Sequence, residues 1–218
     1  RGLSLVARFV VSTEPLAEAL SGYHPDIRVV HNRLDPRWWG QLPASARGQS
    51  RKPRVGWAGG SSHTGDLELI LDVVKELAAE VEWVFFGMCP DSLRPYVHEF
   101  HPGVAINLYP RKLAELNLDL ALAPVEENLF NECKSNLRLL EYGACGYPVV
   151  CSDVRCYAGE LPVTRVKNRY RDWVDAIRMH LSDADASAAQ GKALQQAVRD
   201  HWMLDEQGLV AWQQGWLP

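Results

Sequence analysis

Residues 131–153, NECKSNLRLLEYGACGYPVVCSD, decide how this chain is read, because they set cations, a helix start, one helical carboxylate and a Gly-x-Pro turn in a single loop–helix–strand unit. Ser135 or Asn136 is placed to cap a helix whose first backbone N–H groups point outward without partners. Such an end attracts an anion, and phosphate is its natural guest. Lys134 and Arg138 lie at this positive end, where the macrodipole disfavours cations unless something negative arrives or a carboxylate compensates. At 3.6 residues per turn, Lys134, Arg138 and Glu141 share one face, while Leu137, Leu140 and Ala144 form a neighbouring stripe toward the core. With a diphosphate at the helix start, Glu141 lies about 9 Å deeper along the axis, a sensible phosphate-to-ribose separation. A carboxylate there can accept from both vicinal ribose hydroxyls. Gly143 and Gly146 permit close backbone approach and a helix stop, and Pro148 opens the next strand. The competing reading is an ordinary i,i+3 pair of Arg138 and Glu141 on a solvated face.

Strands and helices alternate on both sides of this unit. Residues 6–12 form a β-branched run, Thr13-Glu14-Pro15 then starts a helix to about residue 20, and residues 27–31 make another short strand. Residues 32–53 are a Pro/Gly-containing, mostly polar linker apart from Trp38 and Trp39. A strand at Arg54–Ala58 opens into the loop Gly59-Gly60-Ser61-Ser62-His63-Thr64-Gly65, after which Leu67, Ile70, Leu71, Val74 and Leu77 repeat at helical spacing, with Asp66 as a cap. Strands over Glu82–Gly87, 104–108, 119–124 and 148–152 follow, separated by a helical piece broken at Pro95 and helices over 111–116 and 135–145. From Tyr170 to Trp216 the pattern is mainly helical, with a break over 182–188. This order predicts an α/β fold whose mostly parallel sheet is wrapped by helices, with ligands beyond the carboxyl ends of the strands. At such an end, Gly59 and Gly60 offer backbone N–H groups to a phosphate or sugar, with His63 beside them at the start of the next helix.

At 218 residues, 47% of them hydrophobic and 23% charged, the chain is long and apolar enough to bury a real core. A formal charge of -4 gives no reason to propose nucleic acid as partner, and the cluster Arg47, Arg51, Lys52, Arg54 sits in a Pro/Ser/Gly-rich stretch that reads as solvated linker. No apolar run approaches the roughly 18 residues of a membrane span. The 5 cysteines form no CxxC and no disulfide framework, which points to reduced thiols in the cytoplasm, and the 7 histidines lie at no zinc-ligand spacing with them.

The unit around Glu141 resembles the C-terminal, donor-binding domain of GT-B glycosyltransferases, especially the family 4-like retaining enzymes of bacterial surface-polysaccharide synthesis. In that family two helical glutamates stand eight positions apart, the second followed by small residues and Gly-x-Pro. Glu141-Tyr142-Gly143-Ala144-Cys145-Gly146-Tyr147-Pro148-Val149 matches the second half, whereas Cys133 occupies the first glutamate's position and Glu132 is one residue off register. Lys134-Ser135-Asn136-Leu137-Arg138 is similar to a divergent subgroup of the same family. Arg28–Asp35 resembles its interdomain hinge and Val55–Gly60 its first donor-domain strand and glycine loop.

The resemblance implies a Rossmann-like sheet with helices on both faces, the C-terminal half of a GT-B fold, ending in a helical tail. It divides the chain into residues 1–35 as the remnant of an N-terminal acceptor domain, 36–53 as linker, 54–200 as donor-binding domain and 201–218 as tail. The opening at Arg1 then marks a fragment, inactive alone. The implied activity is hexosyl transfer from a nucleoside diphosphate-sugar to a glycan or lipid-linked acceptor, with no cofactor, no metal and peripheral membrane association of the longer protein. By resemblance, Ser135 and Asn136 face the diphosphate, Glu141 holds the ribose, Tyr109 borders the base, and Asn131, in the loop of Glu126, Glu127, Asn128 and Phe130, contacts the sugar. Two other readings compete: a non-catalytic interaction module of a multidomain protein, and a nucleotide-sugar epimerase.

Overall fold

The computed structural model describes residues 2–217, so Arg1 and Pro218 lie outside it. The chain first builds a small parallel pair, β1 (Phe9–Val11) and β2 (Ile27–Val29), joined by α1 (Glu14–Leu20), whose first turn is capped by the Thr13 hydroxyl. These strands are shorter than the apolar runs that announce them. The expected linker holds a helical turn, α2 (Pro36–Trp39), capped by Asp35, and Trp39 is buried rather than solvated.

The main sheet follows. β3 (Arg54–Ala58) leads through a tight turn into α3 (Thr64–Glu68) and α4 (Leu71–Leu77), two helices where one is expected. Then come β4 (Glu82–Gly87), β5 (Glu99–Pro102), α5 (Tyr109–Ala114), β6 (Leu120–Ala123), α6 (Leu129–Glu132), α7 (Leu137–Ala144), β7 (Val149–Ser152) and β8 (Thr164–Val166). Among the described residues these six strands form one sheet of order β5-β4-β3-β6-β7-β8, with every pair parallel. Alternate side chains feed two cores. Val55, Trp57, Trp83 and Phe85 pack under α3, α4 and α8 (Tyr170–Ser182), whereas Val84, Phe86, Ala121 and Val149 pack under α5, α7 and α9 (Ala184–His201). The chain therefore has the α/β Rossmann-like architecture expected of it, with helices on both faces and a helical tail. The break expected over 182–188 is a single residue, Asp183, whose carboxylate caps α9, and a second, unexpected break falls at residues 202–205.

The expected strand at 104–108 is a correction: pairing runs through Glu99–Pro102 instead, and Val104, Ile106 and Leu108 stand exposed, Ile106 by 69%. Their alternating apolar pattern belongs to a loop, not a sheet. β8 had no counterpart in the sequence reading. After α9 the chain crosses back, where Leu34 N–H donates to Trp202 O at 2.9 Å and Leu204 N–H donates to Leu34 O at 2.8 Å. α10 (Glu206–Trp216) then packs on the β1–β2 unit, so closely that a side chain at Gly215 would strike Val30. No described helix is long and apolar enough to cross a membrane.

Candidate functional site

Strand order reverses between β3 and β6, since the chain moves from β3 outward to β5 and then returns to place β6 against the other edge of β3. Loops leaving two such strands diverge and open a crevice at the carboxyl ends. A cavity of about 490 Å³ lies there, lined by Gly59, Gly60, His63, Tyr109, Lys134, Ser135, Arg138 and Glu141 and walled by the loop after β5 through Gly103, Val104 and Ile106. That volume suits a small organic ligand.

The floor depends on missing side chains. Gly59 N–H donates to Phe86 O at 2.9 Å, and a Cβ at Gly59 would meet the Trp57 ring at 2.5 Å and Arg138 Nη1 at 2.8 Å. Gly87 has φ 97°, a left-handed conformation that glycine adopts without strain.

The N-terminal end of α7 borders this crevice through Ser135, Leu137 and Arg138, and no described side chain caps it. Asn136 occupies the N-cap position without a capping bond, and the Ser135 hydroxyl accepts instead from Asn32 Nδ2 at 2.8 Å. In the first turn, the Arg138 guanidinium lies 5.0 Å over the Trp57 ring and donates to His63 Nε2 at 3.0 Å. Among the described residues it makes no ion pair. Lys134 Nζ lies 3.9 Å from Asp66 and 4.9 Å over the Phe130 ring. The site thus holds two cations and an open helix end, an arrangement that awaits an anion.

Glu141 lies on the next turn and accepts from the Tyr109 hydroxyl at 3.0 Å. Burial pushes its carboxyl up to about 7, against the opposing pull of Arg138 and the Tyr109 bond. Burial, then the Glu141 charge, push the Tyr109 phenol well above its usual range. Folded Glu141 therefore keeps its proton to about pH 7, while the unfolded chain releases it near 4.5. Between those values the folded state binds more protons, so stability falls as pH rises, and above about 7 this contribution is flat. Urea midpoints at pH 5, 6, 7 and 8 should show this slope, and Glu141→Gln should flatten it. An identical slope in both proteins would refute the assignment.

The remaining expected residues fall elsewhere or act otherwise. Asn131 is 4% exposed and lies outside the lining of this cavity; its amide donates to Asp66 Oδ1 at 3.3 Å and Glu126 O at 2.9 Å. Asn136 lines a neighbouring cavity of about 760 Å³, shared with Thr13, His31, Arg33, Arg155 and Trp202. Lys134, Ser135 and Cys156 border both cavities. Tyr109 is at the cavity wall, but its ring stacks on Phe86 at 5.4 Å and meets Trp39 edge-on, and its hydroxyl serves Glu141. Asp66 does not cap α3. It turns inward to His63, and the His-x-x-Asp spacing was the available signal. Ile106 and Val104 were missed as walls because their alternation imitated a strand. Among the described residues no group of three or more His, Cys, Asp or Glu side chains could hold a metal ion.

A doubly wound parallel sheet with a cationic helix start at its switch point is an arrangement that can receive an anionic group such as phosphate. Comparison with solved structures carries the fold further. The chain is similar to HepE of Anabaena in complex with UDP-glucose, with TM-score 0.70, 13% identity and coverage of 94% of this chain and 61% of that one. It is also similar to sucrose-phosphate synthase from Thermosynechococcus elongatus, with TM-score 0.69, 16% identity and coverage of 99% and 58%. TarM aligns with TM-score 0.67 and 15% identity, over 96% of this chain and 43% of TarM. At these identities the fold is what is shared: the Rossmann-like half of a GT-B glycosyltransferase fold. This chain spans about half the length of the structures it matches. No protein-family model and no curated protein matches the sequence.

Proposed function

We propose that this chain is the donor-binding half of a glycosyltransferase, which holds a nucleoside diphosphate-sugar while the sugar passes to a glycan or lipid-linked acceptor. The observation that carries the reading is Arg138, a guanidinium walled in by Trp57, His63 and Gly59 that lacks a carboxylate partner among the described residues. A half-buried cation that makes no ion pair among the described residues is incompletely compensated, and a diphosphate would supply the missing charge. Arg138, Lys134 and the α7 dipole would neutralise the leaving diphosphate as the glycosidic bond breaks. Glu141 would then accept from the ribose hydroxyls, exchanging its bond to Tyr109 for theirs.

Residues 54–200 form the donor domain in this reading, and residues 1–35 belong to the acceptor-side unit, with 36–53 linking them and 201–218 as tail. A family 4-like role in bacterial surface-polysaccharide synthesis, in the cytoplasm, is the setting that the residues around Glu141 support. The structural neighbour HepE, bound to UDP-glucose, makes UDP the first probe.

A melting-temperature screen of the 218-residue chain against UDP, GDP, ADP, dTDP and their common sugars tests the proposal. One nucleotide at about 100 times its dissociation constant should add about 2.7 kcal/mol of stability, a clear upward shift. No shift with any of them would favour the interaction-module reading.

A further inference from the structure

Arg138 is not aimed by its own helix alone. A guanidinium only donates, so the 3.0 Å contact to His63 Nε2 requires that nitrogen to be the bare acceptor. The ring proton then sits on Nδ1, where it faces Asp66 Oδ2 at 2.6 Å. Asp66 is 2% exposed, and its other oxygen accepts from Glu126 N–H at 2.8 Å and Asn131 Nδ2 at 3.3 Å. Burial works against this carboxylate, but the His63 bond, the Glu126 N–H and the Lys134 charge together hold it below its usual range. A fixed, ionised anchor therefore selects one tautomer of His63, and that tautomer fixes the guanidinium. Trp57 bounds the ring of His63 edge-on at 5.9 Å and lies under Arg138, so neither group has a second comfortable position.

The imidazole between the two charges matters. If Asp66 touched Arg138 directly, their ion pair would compete with any anion entering the cavity. A neutral acceptor passes on the orientation and leaves most of the positive charge uncompensated. It also removes part of the side-chain freedom that a long arginine would otherwise lose on binding.

We propose that Asp66 and His63 are a positioning pair that holds Arg138 aimed into the cavity, ready for the diphosphate of the donor. This rests on the donor-site reading above. Neither residue touches the ligand in this arrangement; both act through Arg138.

The test combines a spectroscopic signature with a mutant cycle on the whole 218-residue chain. In the nucleotide-free protein, long-range 15N correlations of His63 should show Nδ1 protonated and Nε2 bare. Calorimetric titration with UDP should show at least a tenfold loss of affinity in His63→Ala. His63→Gln should recover most of it, because the amide oxygen accepts from Arg138 while the amide nitrogen reaches Asp66. In an Arg138→Met background, His63→Ala should change UDP affinity less than twofold. His63 is half-buried at the cavity edge, so these variants keep the fold where Asp66→Asn risks losing it, and melting curves check this. An Nε2–H tautomer, normal UDP binding by His63→Ala, or an equal loss in both backgrounds would each overturn the proposal. A wild-type chain that binds neither UDP nor inorganic pyrophosphate takes down the donor-site reading and this proposal together.

Discussion

Arg138→Met is expected to weaken UDP binding roughly 100-fold, which corresponds to about 2.7 kcal/mol, while making the nucleotide-free protein more stable. The two effects come from one cause. In the free chain the guanidinium is enclosed beside Trp57 and His63 without a carboxylate, so its desolvation is only partly offset. A thioether of similar length removes that cost and keeps contact with the Trp57 ring. A gain of about 1 kcal/mol, or about 2–4 °C in melting temperature for a chain of this size, is the expected scale. The signature is opposite for a structural arginine, whose loss lowers stability and leaves UDP binding alone. Melting curves with and without UDP, set beside calorimetry, distinguish the two. Lower intrinsic stability with unchanged affinity would remove Arg138 from the site.

At pH 8, where its carboxyl is ionised, Glu141→Ala should cost about 1–3 kcal/mol of UDP affinity, the range for losing hydrogen bonds to a charged acceptor. The sharper expectation concerns the sugar of the nucleotide. If the carboxylate accepts from both ribose hydroxyls, the wild-type chain prefers UDP to its 2′-deoxy analogue, and Glu141→Ala brings the two affinities together. The structure favours this role by depth: Glu141 lies on the cavity face of α7, a turn below Arg138, with its carboxyl on Tyr109. A variant that loses affinity equally for both nucleotides, with their ratio unchanged, would place the ribose elsewhere.

The cavity face of α7 was readable because Arg138 and Glu141 stand one turn apart on one helix, whereas Lys134 precedes the N-cap and reaches the same cavity from the loop. The central strands were readable for a related reason. β3, β4, β6 and β7 are covered on both faces, and their sequences are nearly continuous apolar runs. Both edges of the sheet escaped. β5 carries Glu99 and His101, polar residues that tie sideways, Glu99 to Arg54 at 2.7 Å and His101 to Glu99 at 2.5 Å, and β8 is three half-buried residues after a glycine-containing turn. Edge strands are half solvated and leave a weak apolar signal. Asp66 was legible only as a local cap, because the partners that give it meaning, Glu126 and Asn131, lie some sixty positions away. Likewise, nothing in the residues around Tyr109 announces that Phe86 and Trp39 claim its ring.

The paired crossing at Leu34 and residues 202–204 has a mechanical consequence. Two chain segments leave the β1–β2 unit side by side, laced to one another by the hydrogen bonds Leu34–Trp202 and Leu204–Leu34. Twisting or sliding that unit would shear the lacing, and swinging it would break the bonds of Thr13 to Cys133 O, Asn32 to Ser135 and Arg155 to Glu18, each 2.8 Å. The joint is therefore held twice, by the lacing and by these cross-links. His31 and Arg33 line one wall of the 760 Å³ cavity and Lys134 and Arg155 the other, so the same bonds fix the width of that cavity.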